Sequence, residues 1–230
     1  VRRFNGAVSI ATDAAGTPHL AYGGDRLYHA VPLGNAWLRE IADDALGSGD
    51  LASMAIDARG NLHIVHVQHL HESDRIVKHT TNAAGALRTT PIVNVGGSGC
   101  CLSMTVDSDD ALHLVYSDYL EDRVAYATNE GGTWSFSTVE GVMAMFTGIA
   151  VGKDGDVHVA YRPAGSTALK VASRSAGGWT TATITERPAL AASLVVDTGG
   201  ALRVFFQDVD NKEIVFMTGA AGSWASESLA

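Results

Sequence analysis

An internal repeat constrains this chain more than any other feature of its sequence. Five segments align without gaps: SIATDAAGTPHLAY (9–22), SMAIDARGNLHIVH (53–66), SMTVDSDDALHLVY (103–116), GIAVGKDGDVHVAY (148–161) and SLVVDTGGALRVFF (193–206). Their starts recur with a period of about 46 residues, which is typical of folds built from one repeated supersecondary unit. Five such units account for all 230 residues.

Each unit also has a second half, which ends on a tryptophan at the same offset in four of the five units. These residues are Trp37, Trp134, Trp179 and Trp224. Clusters of Gly, Asn and Asp mark turns and divide each unit into four short strands. Four strands in every unit of about 45 residues predict the blade of a β-propeller. The sequence therefore predicts an all-β fold, a five-bladed β-propeller with four antiparallel strands per blade.

We expect one domain over residues 1–230, with blades at approximately 5–45, 46–95, 96–141, 142–187 and 188–230. A solenoid is the alternative, but its end units would need polar caps, and here the first and last units look like the middle ones. The repeat therefore favours a closed ring. Packing between blades could close it, and VRRF (1–4) could add a strand to the last blade.

Composition excludes several classes of partner. The chain carries 16 Lys and Arg against 25 Asp and Glu, a net charge of -9, and it has no basic block. A nucleic acid backbone would be repelled, so we expect no nucleic acid partner. No apolar run approaches the roughly 20 residues that cross a bilayer, so we expect no membrane insertion. The adjacent Cys100 and Cys101 provide no disulfide framework, and we expect no cofactor. Oligomeric state stays open.

Most residues that recur in the repeat are interpreted as scaffold. The repeated histidines are His19, His63, His113 and His158, with Arg203 in the fifth unit. They occupy equivalent positions in separate blades, so we expect them to hydrogen-bond to backbone carbonyls between blades rather than to converge on a ligand. The repeated aspartates are Asp13, Asp57, Asp107 and Asp197, with Gly152 in the fourth unit, and they are predicted to fix hairpins. The tryptophans are predicted to pack between blades at the outer rim.

Functional sites are sought where the repeat is broken. In a four-stranded blade, the loop between strands two and three opens on the same face as the connection to the next blade. By repeat alignment, this loop has three residues in blade 1, eight in blade 2 and six in the others. The extra residues of blade 2 belong to HVQHLHESDR (66–75), and the long connection IVNVGGSGCCLS that follows carries both cysteines. The sequence therefore predicts a specialised sector at the mouth near blades 2 and 3.

Several interpretations of this sector remain open. His69 and His71, with His66 or a cysteine, could bind a metal, although their spacing matches no common zinc pattern. A histidine beside Asp118 or Glu72 could act as a general base. The stretch could also be a solvated loop. Carbohydrate binding needs a few planar polar groups and aromatic faces in a shallow depression. The candidate ligand-binding residues are His66, His69, His71, Glu72, Tyr116, Asp118, Tyr119, Arg162, Gln207 and Asp208.

The repeat, written VDxxGxxHhhY…GGxW, resembles those of bacterial propellers related to sialidases and propeller lectins, and the resemblance covers all five units. It implies a propeller fold and a role with sugars. The segments TDAAGTPH, IDARGNLH and VDTGGALR lack the serine and tryptophan of the sialidase Asp-box, and no arginine triad is evident. Five blades are also fewer than sialidases use. Horseshoe-crab-type lectins have five blades of similar length but different repeat words.

We predict that the protein binds a small polar ligand, in the first place a glycan, at the mouth near blades 2 and 3. A multivalent lectin would repeat its ligand contacts in every blade, whereas here the departures cluster. The alternatives are a polysaccharide lyase or glycoside hydrolase that uses a His, Tyr and carboxylate set in the same sector, and a protein-interaction scaffold. A scaffold would present an apolar patch at the mouth.

Overall fold

The computed structural model describes residues 8–70, 74–97, 101–220 and 223–229. These residues form twenty strands in five separate four-stranded sheets, and within each sheet consecutive strands pair antiparallel. The sheets follow one another along the chain, one for each sequence repeat. This arrangement confirms the predicted all-β architecture of five propeller blades. No helix in the described part of the chain could cross a membrane.

The strands are numbered in chain order, from the inner to the outer strand of each blade. Blade 1 contains β1 (Val8–Thr12), β2 (Pro18–Gly23), β3 (Leu27–Leu33) and β4 (Ala36–Asp43). Blade 2 contains β5 (Asp50–Ile56), β6 (Leu62–His69), β7 (Arg75–Thr81) and β8 (Arg88–Asn94). Blade 3 contains β9 (Leu102–Val106), β10 (Leu112–Asp118), β11 (Arg123–Thr128) and β12 (Ser135–Glu140). Blade 4 contains β13 (Ala144–Val151), β14 (Val157–Pro163), β15 (Leu169–Ser175) and β16 (Gly178–Thr185). Blade 5 contains β17 (Ala189–Val196), β18 (Leu202–Asp208), β19 (Glu213–Ala220) and β20 (Ser223–Leu229).

Burial follows from packing on both faces of each blade. Every residue of β10 is buried, as are the first six of β6, because blades lie against both sides of these strands. The outer strand β16 is mostly exposed, and its sequence GWTTATIT is correspondingly polar. The nearly continuous apolar runs of the repeat therefore belong to second strands.

The repeated aspartate fixes the turn between the first and second strands, as predicted. Asp107 Oδ1 accepts hydrogen bonds from the amides of Asp109 at 2.9 Å and Ala111 at 2.8 Å. The same two bonds recur at the aspartates of blades 1, 2 and 5. These bonds satisfy amides that would otherwise lack a partner inside the tight turn.

The repeated histidine does not reach a backbone carbonyl in a neighbouring blade, so that prediction was wrong. His113 Nε2 lies 2.9 Å from Asp107 Oδ2, and its Nδ1 lies 2.6 Å from the Tyr126 hydroxyl. In blade 2, His63 likewise lies between Asp57 and His79. The turn carboxylate and a side chain of the third strand are nearer than the next blade, so the imidazole braces its own blade.

Neighbouring blades meet through their inner strands, in the order β1, β5, β9, β13 and β17. Ser9 Oγ accepts a hydrogen bond from Met54 N at 2.9 Å, and Ser53 Oγ accepts one from Met104 N at 3.1 Å. The repeated serine thus joins a blade to the following one. Four apolar cores fill the seams between blades 1 and 2, 2 and 3, 3 and 4, and 4 and 5.

Three of the four tryptophans pack in these seams, as predicted. Trp134, Trp179 and Trp224 each lie against the core that their blade shares with the preceding blade. Trp37 of blade 1 differs, because it is 51% exposed. Among the described residues, no core and no inner-strand contact of comparable extent joins blade 5 to blade 1.

Candidate ligand-binding site at the mouth

On one face of the molecule, backbone hydrogen bonds join the ends of the second strands of blades 2 to 5 to the connections beside them, and these residues are called the rim. The amide of Tyr119, after β10, donates to Val95 O at 3.0 Å, and Val95 N donates to Arg75 O at 2.9 Å. Val95 lies in the connection from blade 2 to blade 3. Equivalent bonds run from the amides of His69, Ala164 and Val209, at the ends of their second strands, to the carbonyls of Gly47, Met143 and Pro188 at 2.8 to 3.0 Å. The loop and the connection therefore share one face, as the sequence analysis expected, and this face is called the mouth.

The residue that makes this rim bond differs between blades. It is His69 in blade 2 and Tyr119 in blade 3, but Ala164 in blade 4 and Val209 in blade 5. Planar side chains with hydrogen-bonding groups therefore occupy the rim position in blades 2 and 3. The equivalent positions of blades 4 and 5 carry small apolar side chains. The two planar residues lie on adjoining blades that Arg75 and Val95 connect.

His69 forms a pair with a carboxylate at the inner edge of the mouth. Its Nε2 lies 2.7 Å from Asp50 Oδ2, and the two side chains are 19% and 12% exposed. Asp50 begins β5 immediately before a bulge, in which Leu51 has a φ of 53°. At the same repeat position, blades 4 and 5 carry the apolar residues Met145 and Leu190. The carboxylate is thus specific to blade 2, and it fixes the orientation of the imidazole.

The additional residues of blade 2 lengthen its strands. β6 continues to His69 and β7 begins at Arg75, and these two residues pair directly. In blade 3 the corresponding last pair is Asp118 with Arg123. Much of the stretch that repeat alignment assigned to a loop is therefore hydrogen-bonded ladder. His71 and Glu72, at its centre, lie outside the described residues, as does Cys100.

His66 lies in the seam between blades 1 and 2 and not at the mouth. Its side chain is fully buried, and its Nε2 lies 3.0 Å from Thr80 Oγ1 and 3.8 Å from Asp43 Oδ2. The pKa of His66 is lowered to about 4, mainly by burial; Asp43 opposes this shift and the nearby Lys78 ammonium adds to it. The imidazole is therefore neutral near pH 7. A ligand at the mouth cannot contact it in this conformation.

A buried ion pair beside His66 was not predicted from the sequence. Lys78 Nζ lies 2.5 Å from Asp43 Oδ2, and Ser48 Oγ donates to the same oxygen at 2.6 Å. Burial alone would raise the pKa of Asp43, but the bonds from Lys78 and Ser48 outweigh it and leave that pKa below its usual value. Asp43 belongs to blade 1 and Lys78 to blade 2, so the pair fastens the seam.

Three further predicted ligand contacts are buried in the blades. Tyr116 has no appreciable exposed surface, and burial raises the pKa of its hydroxyl. Asp118 Oδ1 accepts from Leu120 N at 3.2 Å, and its Oδ2 accepts from Arg123 Nε at 3.1 Å. Asp208 accepts from Asp210 N in the same way in blade 5. Both carboxylates fold the hairpin that follows them.

The accessible candidates are therefore His69, Tyr119, Arg162 and Gln207. Tyr119 and Arg162 are half-buried, and Gln207 is exposed. Arg162 Nη1 donates to Ser166 O at 2.8 Å, and its guanidinium lies 5.9 Å from the centre of the Phe146 ring. Arg162 belongs to blade 4 and Gln207 to blade 5, so only the first two share the sector of blades 2 and 3.

The described residues contain no group of three or more His, Cys, Asp or Glu side chains that could hold a metal ion. His66 turns toward blade 1, whereas His69 pairs with Asp50. The sulfur of Cys101 is buried and donates to Ala144 O at 3.2 Å. The described side chains of the proposed metal set therefore point to different partners.

Comparison with known proteins gives the fold and no family. No protein-family model matches the chain, and no curated protein matches its sequence. A protein of unknown function from Dyadobacter fermentans matches with a TM-score of 0.65 at 13% identity, over 100% of this chain and 84% of that one. SapL1 lectin, solved with alpha methyl fucoside, matches with a TM-score of 0.66 at 13% identity, over 98% of this chain and 80% of the lectin.

A third match is the Hadza microbial sialidase Hz136, with a TM-score of 0.60 at 14% identity. The match covers 96% of this chain but only 58% of the sialidase, so this chain spans less than two thirds of that protein. At such identities the likeness shows the propeller fold alone. The structural similarity to lectin and sialidase propellers agrees with the resemblance that the repeat suggested.

Proposed function

We propose that the protein binds a carbohydrate at the mouth, in the sector of blades 2 and 3. The observation that carries the proposal is the asymmetry of the rim position, with His69 and Tyr119 on one side and Ala164 and Val209 on the other. A repeat fold needs no such difference for stability, because the same rim bond forms with all four side chains. Departures of this kind are typical of a binding site on a rigid frame.

The chemistry of these side chains suits a sugar. An imidazole held by a carboxylate can donate and accept hydrogen bonds in a fixed direction, and a tyrosine ring offers an apolar face and a hydroxyl. His69 is fixed by Asp50, and the Tyr119 backbone is fixed by Val95. The lectin and sialidase among the structural matches lend further support to a carbohydrate ligand.

A glycan array with the protein displayed multivalently tests the proposal, because avidity makes weak contacts measurable. We expect one class of glycan to bind and His69→Ala and Tyr119→Ala to weaken binding by at least about tenfold, or ~1.4 kcal/mol. Val209→Ala is the matched control at the same rim position of blade 5, and it should bind as the parent does.

The stability of the variants must be measured beside binding. His69→Ala removes one hydrogen bond from Asp50, so we expect the free energy of unfolding to fall by about 1 kcal/mol with the fold retained. An array without any bound glycan would contradict the carbohydrate proposal. A binding glycan whose affinity is unchanged by both variants would move the site away from this sector.

The pair of His69 and Asp50 also favours a second candidate, a polysaccharide lyase or glycoside hydrolase. A carboxylate at 2.7 Å is the usual way in which a catalytic imidazole is oriented as a general base. Incubation with neutral and uronic acid polysaccharides, followed by product sizing, tests this candidate. Shortened chains that disappear with His69→Ala and diminish with Asp50→Asn would show catalysis. Unchanged substrate that remains bound would support binding alone.

A further inference from the structure

The surface of blade 1 that faces away from blade 2 has no partner blade among the described residues. Its inner strand presents Ile10, which is 63% exposed. The residues at the same repeat position in the other blades, Met54, Met104, Ile149 and Leu194, are only 5 to 7% exposed. Each of these four packs into the core shared with the preceding blade. Ile10 therefore holds the position of a seam residue but faces no neighbouring blade among the described residues.

Blade 5 presents the complementary surface. Phe205 is 38% exposed, whereas Ala21, Val65, Val115 and Ala160 at the same repeat position are fully buried against the following blade. Ile214 is 45% exposed, whereas its counterparts Leu27, Val77, Val124 and Leu169 are at most 1% exposed. Blade 5 thus carries the apolar side chains that every other blade uses to hold the blade after it.

The tryptophans repeat the same pattern at the outer rim. Trp179 stands with its ring edge-on to Tyr126 of the preceding blade, with centroids 5.2 Å apart, and its Nε1 donates to Ser137 Oγ. Trp134 stands in the same way against His79 of blade 2, at 5.9 Å. Trp37 meets no preceding blade within the described ranges, and it is the most exposed of the four.

We propose that a sixth blade of the same four-stranded repeat, carried on the same polypeptide, fills the space between blade 5 and blade 1. The exposed surface of blade 5 matches the face that blades 1 to 4 present to the following blade. The exposed surface of blade 1 matches the face that blades 2 to 5 present to the preceding blade. A single blade has both faces and satisfies both surfaces at once. Exposed apolar side chains grouped in this way are typical of an interface and not of a free surface.

Two of the structural matches are longer than this chain by an amount that a further blade would fill. The protein from Dyadobacter fermentans and SapL1 lectin are covered to 84% and 80% of their lengths, close to five sixths. The remainder of each is about the size of one blade. A sixth blade would add two seams to the existing four, one against Phe205 of blade 5 and one against Ile10 of blade 1.

Cysteine labelling of the 230-residue protein tests whether the two surfaces are free. Ile10→Cys and Phe205→Cys are compared with Met54→Cys and Val115→Cys, their counterparts in the closed seams. We expect the first two to react roughly 100-fold faster, because the counterparts react only through local opening. Labelled peptides are identified by mass, so that the native cysteines do not interfere.

A sixth blade is then supplied from the chain itself. Residues 142–187 already carry a preceding face that fits blade 3 and a following face that fits blade 5. A copy of residues 142–187 is inserted directly before Phe4. Phe4 has the same repeat position as Pro188, so the copy joins blade 1 in the way that blade 4 joins blade 5. We expect the reactivity of both Ile10→Cys and Phe205→Cys to fall to that of the closed-seam variants, in a monomer. The matched control is the same extension with serine at the copied Ile149 and Val159, which removes its preceding apolar face.

Each other outcome would overturn the proposal. Slow labelling of both variants in the unextended monomer would mean that blades 5 and 1 close directly on each other. Slow labelling that depends on concentration, with a doubled mass in sedimentation, would mean that a second copy fills the space. Fast labelling that the extension leaves unchanged, while the extended protein is folded, would mean that the surfaces do not accept a blade.

Discussion

At the scale of single residues, two buried histidines make stability depend on pH. Burial, and to a smaller extent the neighbouring His63, lower the pKa of His79 to about 4. His66 has a pKa of about 4 for the related reasons given above. In the unfolded chain a histidine has a pKa near 6.5. The native state therefore keeps both rings neutral between about pH 6.5 and pH 4, whereas the unfolded chain takes up protons.

We predict that the free energy of unfolding falls as the pH is lowered from 6.5 to 4, and that His79→Tyr reduces this fall. Because its pKa is lowered this far, His79 accounts for on the order of 3 kcal/mol of the fall in the free energy of unfolding between pH 6.5 and pH 4. It causes no further fall below pH 4. Tyrosine does not titrate there. It is also the natural side chain at this position in blade 3, where Tyr126 bonds His113 and meets Trp179. Urea unfolding at several pH values measures the effect.

The reverse change, Tyr126→His, is the matched control, and it should steepen the pH dependence. The prediction fails if His79→Tyr and the parent lose stability in parallel between pH 6.5 and pH 4. Destabilisation by the same amount at every pH would indicate altered packing against Trp134 and no effect on proton uptake.

The sequence predicted the residues of the mouth only in part, and the reason lies in strand geometry. His66 occupies the repeat position of Tyr116, Tyr161 and Phe206, all core residues, and this signal could have excluded it from the mouth. His69 differs from it by three positions, so the two side chains leave opposite faces of β6. That distinction required knowing that β6 continues to His69. The pair of Asp43 and Lys78 joins residues far apart in sequence and has no local signature.

At the scale of single elements, the turn between the first two strands gives a direct test of the repeat. Blade 4 has Gly152 where the other blades have aspartate, yet its turn makes the same backbone bonds. A Cβ at Gly152 would meet other atoms only at ordinary distances, the nearest being 3.7 Å. The backbone there can therefore accept the aspartate that the other blades use.

We predict that Gly152→Asp stabilises the protein by about 1 kcal/mol more than Gly152→Ala. Both variants reduce the freedom of the unfolded chain, but only the carboxylate can accept the turn amides and face His158. Chemical unfolding of the two variants measures the difference. Asp154 and Asp156 oppose the added charge, so a gain that appears only at high salt would show that repulsion masks the bonds.

The converse change should be costly. Asp107→Ala removes the acceptor of two turn amides and the partner of His113, and we expect a loss of about 2 kcal/mol. Asp107→Asn retains an acceptor and should lose less. Equal stabilities of the two variants would indicate that the turn bonds contribute nothing and that the loss comes from the histidine alone.

The elements themselves were largely predictable because each repeat gives the same turn residues at the same offsets. The strands and their antiparallel order in every blade agree with the prediction. The bulges in β5, β13 and β17 were not predictable. A bulge changes the register by one residue and leaves no fixed residue type, and one of them presents Asp50 to His69.

At the scale of the whole molecule, the five blades of this chain were predictable from the sequence. The lack of a core between blades 5 and 1 among the described residues was not, because the repeat favoured a closed ring. A repeat fixes what each unit looks like and which residues face its neighbours. It does not fix how many units complete a turn, because that depends on the angle at each seam. Ile10 and Phe205 look in sequence like their buried counterparts, and only their surroundings distinguish them.

Blades 1 and 5, which share no core with each other among the described residues, should be less stable than the blades between them. In repeat proteins each unit gains stability from the interfaces with its neighbours, so units with one interface open more readily than units with two. Blade 3 shares a core with the blades on both sides, whereas blades 1 and 5 each share only one among the described residues. We predict that amides of β10 exchange with solvent at least about tenfold more slowly than those of β2 and β18, a difference of ~1.4 kcal/mol in opening free energy. Hydrogen exchange followed by mass spectrometry compares these second strands, which hold the same place in their blades. Equal protection of β2, β10 and β18 would mean that the molecule opens as one cooperative unit, as a closed ring would.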